Sequence, residues 1–116
     1  MCSPADSDFF VEVPEVGTFR FARRTYGDRL KIRAEFLKLV RDAGETDPEL
    51  ATQAAILAAH KVLCVEAPAG WQDLAAVDMI AVPDADDRIY AIYLALKEKE
   101  DSFRRPTSEG GEAARA

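Results

Sequence analysis

The chain has 116 residues, nearly half of them apolar, and a formal charge of −6. That length buries one modest core and is too short for two domains. The charge speaks against a general nucleic-acid binder, no apolar run reaches the roughly 20 residues of a membrane span, and the opening "MCSPADSDFF" lacks the basic and apolar regions of a secretory signal.

A cytoplasmic protein with neither nucleic acid nor membrane as partner is therefore expected. Two cysteines, Cys2 and Cys64, make no disulfide framework and no four-ligand zinc spacing, so they read as reduced thiols. The charge is uneven. Between Arg20 and Arg33, six cations face only Asp28, a local excess of five that leaves −11 on the rest of the chain. A basic face on an acidic body suits self-association, with Arg20, Arg23 and Arg24 as candidate contacts. It suits an acidic partner equally.

The first element is a hairpin over residues 8–24. Phe9, Val11 and Val13 alternate with Phe10 and Glu12, then Phe19 and Phe21 alternate with Thr18 and Arg20, the two-residue period of half-buried strands. "PEVG" supplies the turn, since Pro14 fixes its φ and Gly17 tolerates a positive one. A lone hairpin is marginal in water, so it must lie on helices or add to another sheet.

At Thr25 the period changes to that of a helix over about 28–43. Thr25 and Asp28 form an imperfect capping box, Ile32, Phe36, Leu39 and Val40 share one side, and Gly44 is a plausible stop. A second helix over about 47–63 is announced by "TDPEL": Thr46 or Asp47 caps, Pro48 occupies the first turn and Glu49 suits the positive helix end. Its Ala-rich body has almost no charged side. That predicts a central helix, an oligomer contact, or both.

Pro68 and Gly70 break the chain before Trp71, which on a tight loop serves better as a plug for a core edge than as a binding aromatic. A weakly helical stretch over 73–80 follows, and Pro83 ends it. The last helix spans about 84–103, with acids at its start and Arg104 and Arg105 at its end, both matched to the helix dipole. The predicted fold is α+β, mainly α: an N-terminal β-hairpin, three to four helices in one domain over 8–105, and disordered ends over 1–7 and 106–116.

Chemical candidates are few. His60 and Cys64 stand four apart on one helical face, as two metal ligands would, but no second pair exists, and a half-buried His beside a core Cys explains them better. Asp84, Asp86 and Asp87 fall where helix capping expects carboxylates. "KEKE" reads as a solvated face. The basic run lacks the exposed interleaved aromatics of a single-strand binder. With no phosphate loop and no nucleophile elbow, no cofactor and no enzymatic activity are expected. Phe103 is the anomaly: it resumes, after Lys99 and Glu100, the apolar stripe of Ile89, Ile92 and Leu96. It either folds back on the core or anchors a partner.

Three segments in this order, "PEVGTFRFARRT" (14–25), "APAGW" (67–71) and "ALKEKEDSFRR" (95–105), together resemble the small tail assembly chaperones of long-tailed bacteriophages and prophages. The likeness spans about residues 9–105. It implies a non-enzymatic protein that coats the long, helical, apolar tape-measure protein before the tail tube polymerises, with the tail tube protein as a second candidate partner and self-association in an open spiral. A partner surface of Leu96, Phe103, Arg104 and Arg105 would fit that role. A longer frameshifted form would extend from the tail after Arg105. The alternatives are a small structural tail or connector protein of the virion, or a small regulator or metal-dependent enzyme using His60 and Cys64.

Overall fold

A computed structural model describes residues 6–41 and 47–104. Two strands, β1 (Phe9–Val13) and β2 (Gly17–Phe21), lead to helices α1 (Tyr26–Arg41) and α2 (Pro48–Leu63); a strand β3 (Cys64–Glu66) and the helix α3 (Ala85–Arg104) complete the order. The fold is α+β and mainly helical, as the sequence predicts.

The hairpin pairs Phe9 with Phe21, Val11 with Phe19 and Val13 with Gly17, so all five apolar side chains fall on one buried face. Glu15 takes φ 67° and Gly17 φ 137° at the turn. The hairpin does both things open to it: it lies on helices and extends a sheet. β3 pairs antiparallel with β2, giving the order β1-β2-β3, with an irregular register between Arg20 and Phe21. β3 is absent from the sequence reading, which takes "CVEAPAGWQDL" as a break. It leaves α2 directly, and Leu63 already gives its carbonyl to the Ala22 N–H at 2.9 Å.

Caps set the helix starts. Thr25 Oγ1 accepts from the Asp28 N–H and Asp28 Oδ2 accepts from the Thr25 N–H, both at 3.1 Å. The box is reciprocal despite its short acid, and α1 begins two residues earlier than expected. Of the two cap candidates for α2, Asp47 accepts the Leu50 N–H at 2.7 Å; Thr46, like Gly44 and the end of the first predicted helix, lies outside the described residues. The weak helix expected over 73–80 is only one 3-10 turn, Leu74–Ala76. Asp73 and Asp78 each accept backbone N–H groups two residues on, which favours local turns over a continuous helix.

α2 is central. It meets α1, α3, β3 and the 3-10 turn, and it buries Ala54, Ile56, Ala58, Ala59, His60 and Leu63. The core joins Ile56 and Leu63 of α2 to Phe19 and Phe21 of the sheet and to Ile92 and Leu96 of α3. α1 is different: among the described residues it has no buried side chain, and it rests on α2 through half-buried Ile32, Phe36 and Val40.

Candidate interaction surface

The loop after β2, the start of α1 and the end of α3 converge on an open groove of about 460 Å³. Phe9 and Phe103 form its apolar part, while Arg23, Arg24, Arg29, Lys97 and Arg104 supply cations against Glu100. The hairpin brings Arg23 and Arg24 here because β2 ends at Phe21. The α3 stripe brings Phe103 because it lies seven residues, close to two turns, beyond Leu96.

Phe103 is 43% exposed. Its ring meets the Phe9 ring edge-on at 5.2 Å between centroids, and the Arg23 guanidinium lies 4.8 Å from its centroid. It is therefore both half docked and half presented. Arg24 grips Glu100 with two hydrogen bonds, Nε to Oε2 and Nη2 to Oε1, each 3.1 Å. Glu100 thus leaves the solvated face assigned to "KEKE", because its carboxylate is drawn inward by Arg24. Arg104 is bonded to Asp101 at 2.7 Å.

The structure divides the expected site residues. Arg23, Arg24, Phe103 and Arg104, assigned by sequence to two separate roles, share one groove. Leu96 is corrected from partner contact to core: it is 2% exposed beneath the helix, on the side that packs against the sheet. Arg20 lies elsewhere, bound to Asp8 at 2.9 Å and to Glu66 at 3.4 Å, with its guanidinium near Phe10. Arg20 and Arg24 are thus both paired within the chain, and Arg23 lies over the Phe103 ring. Arg105 lies outside the described residues. The groove's other members, Phe9, Arg29, Lys97 and Glu100, are not expected at a site from the sequence; Lys97, read as part of the solvated "KEKE" face, lies 3.9 Å from the Glu100 carboxylate.

His60 and Cys64 flank a second groove, of about 430 Å³, with Glu35 and Asp73 on its walls. Its His, Cys and charged side chains are each engaged within the chain. His60 Nε2 donates to the Trp71 carbonyl at 3.0 Å, and its ring stands edge-on to Phe19 and Phe21. His60 is buried rather than half-buried, and loss of hydration holds its pKa below the ordinary imidazole range, against the opposing pull of the Trp71 carbonyl. Cys64 Sγ lies 3.5 Å from the Glu66 carbonyl. Glu35 is bonded to Lys61 at 3.1 Å and to Lys38 at 3.2 Å, and these bonds lower its pKa. Asp73 caps the 3-10 turn. Among the described residues no three His, Cys, Asp or Glu side chains are grouped as metal ligands.

The acids before α3 also act locally. Asp84 accepts from Arg88 Nε at 2.8 Å, which lowers the Asp84 pKa and raises that of Arg88, and Arg88 reaches back to the Glu15 carbonyl in the hairpin turn. Among the described residues no helix is long and apolar enough to cross a membrane. No protein family, curated protein or solved structure matches the chain.

Proposed function

We propose that this chain is a non-enzymatic tail assembly chaperone, acting in the cytoplasm of a bacterial host on the tape-measure protein of a phage or prophage tail. The observation that carries the reading is Phe103: an aromatic held by Phe9 and Arg23 with nearly half its surface open, beside Arg104 in a cationic groove. Such an anchor suits an apolar helical client that also carries carboxylates. The ring supplies desolvated area, the arginines supply orientation, and the incomplete burial leaves the contact displaceable. Tail tube protein is the second partner of this reading.

The experiment is capture of a helical tape-measure fragment by the full chain and by Phe103→Ala. Loss of an aromatic anchor costs on the order of 2 kcal/mol, or more than tenfold in affinity. The free variant loses about 1 kcal/mol of stability, because the edge-on contact with Phe9, the Arg23 guanidinium over the ring and a partly exposed surface are removed. Equal capture by both chains would remove Phe103 from the role, and no capture by the unaltered chain would overturn the chaperone reading. Retention of the protein in purified virions would assign it to the tail structure instead.

A further inference from the structure

β1 is an edge of the sheet. Among the described residues it pairs only with β2, so alternate residues of Phe9–Val13 turn their backbone N–H and C=O groups away from the sheet. Edges of this kind are commonly blunted by proline, lysine or a bulge. "FFVEV" carries none of these and keeps an unbroken register with β2, whereas the opposite edge, β3, has three residues and an irregular join. α3 stands beside the β1 edge without closing it. Between them lies an open groove of about 320 Å³, with Phe10, Val11 and Glu12 on one side and Ala95, Glu98 and Ser102 on the other. The three helix residues follow one another at three and four positions and so share a flank of α3; two of them are small, which leaves room for a backbone.

We propose that this edge receives an extended segment of another protein, which adds beside β1 as a fourth strand and carries a lysine or arginine against Glu12 and Glu98. Free backbone groups along a strand are met by another extended backbone, so the occupant is a strand and not a helix. Its side chains alternate: those beside Phe10 and Glu12 join the outer face, and those beside Val11 turn towards α3. Phe10, 57% exposed with the Arg20 guanidinium 5.7 Å from its ring centroid, offers an apolar neighbour on the outer face. Glu12 and Glu98 are both exposed, and the groove's cation, Lys99, has its ammonium 5.8 Å from the Phe103 ring centroid, so the groove calls for a positive charge. A second copy offering the same edge would bring like carboxylates together. The chain's own "RPTSEGGEAARA" (105–116) is rich in Gly, Glu and Ala, which strands disfavour. The groove is separate from the one around Phe103 and takes extended chain, so the inference stands apart from the chaperone reading.

The probe is a synthetic peptide of alternating Thr and Val with one central Lys, titrated to millimolar concentration into the dilute full chain and followed by NMR. Resonances of Phe10, Val11 and Glu12 and of Ala95, Glu98 and Ser102 should move, and alternate amides of β1 should exchange more slowly with solvent. N-methylation of the peptide along one edge should weaken binding at least about tenfold, and along its other edge should change nothing, because only one edge meets β1. Glu12→Lys should weaken the peptide about threefold and favour the same peptide with a central Glu. Ser102→Trp, at a second exposed position, should block the groove and keeps the test open should Glu12→Lys fail to fold. Absence of any shift would overturn the proposal, as would equal binding of the two N-methylated forms. Alternate β1 amides already slow in the dilute chain would assign the edge to a segment of the chain itself, and amides slowed merely by concentrating the chain would assign it to a second copy; either result overturns the proposal. Capture of the helical client fragment is scored separately, on Phe103→Ala.

Discussion

His60 stands edge-on to both Phe19 and Phe21 with its Nε2–H given to the Trp71 carbonyl, and its pKa is lowered because a buried imidazolium would lose its water. Above the unfolded pKa, about 6.5, both states are neutral and the full stability is present. As the pH falls below that value the unfolded chain takes a proton that the folded chain refuses, so stability declines until the pH reaches the folded pKa. The melting temperature should hold level from about pH 8 to 7 and fall on acidification below about 6.5. His60→Gln should flatten that fall while lowering stability overall by about 1–2 kcal/mol, since the ring contacts are lost. Glu35 and Asp84 also have lowered pKa values, but they contribute loss only below the ordinary carboxylate range, which separates the two effects. An unchanged pH profile in His60→Gln would remove His60 as the cause. The sequence marks His60 and Cys64 as core neighbours by their four-residue spacing. It cannot supply the Trp71 carbonyl, because that contact depends on a loop whose path is set by tertiary packing.

Between residue and fold stand the elements, and here Gly17 joins two of the segments that carry the family resemblance. It closes the hairpin opposite Val13 at φ 137°, and a Cβ placed there would lie 2.6 Å from Pro68 Cγ. The clash is with a proline ring, which cannot swing aside, and the backbone angle is one that side chains resist. Gly17→Ala should therefore cost roughly 2–3 kcal/mol, measured by denaturant unfolding. A loss below about 0.5 kcal/mol would mean that the hairpin and the loop after β3 are not held together at this point. The same pairing explains what was legible. Strict alternation exposed the hairpin, and caps with a helical period exposed all three helices. β3 was hidden because it has only three residues and continues the apolar run of α2, so no alternation can be counted and only its partner β2 defines it. For the candidate groove, the sequence pointed to Phe103 through its position on a stripe. The bidentate grip of Arg24 on Glu100, 76 residues away in the chain, left no local trace.

At the scale of the whole molecule, the sheet, α2 and α3 share one core, whereas α1 is attached to it mainly through α2. What holds α1 is a half-buried row of Ile32, Phe36 and Val40 and the ion pair from Glu35 to Lys61 at 3.1 Å. An exposed pair of this kind contributes at most about 1 kcal/mol, and a row that is only half covered gives less than a buried one. Leu30 and Leu37 contribute little to the fold, since they stand exposed on the outer side. Local opening of α1 should therefore require less free energy than opening of α2, whose Ala58, Ala59, His60 and Leu63 are all buried. In amide hydrogen exchange on the dilute protein, the middle of α1 should exchange at least about tenfold faster than the second half of α2, a difference of about 1.4 kcal/mol in opening. Equal protection of the two helices would show that α1 opens only when the whole domain unfolds.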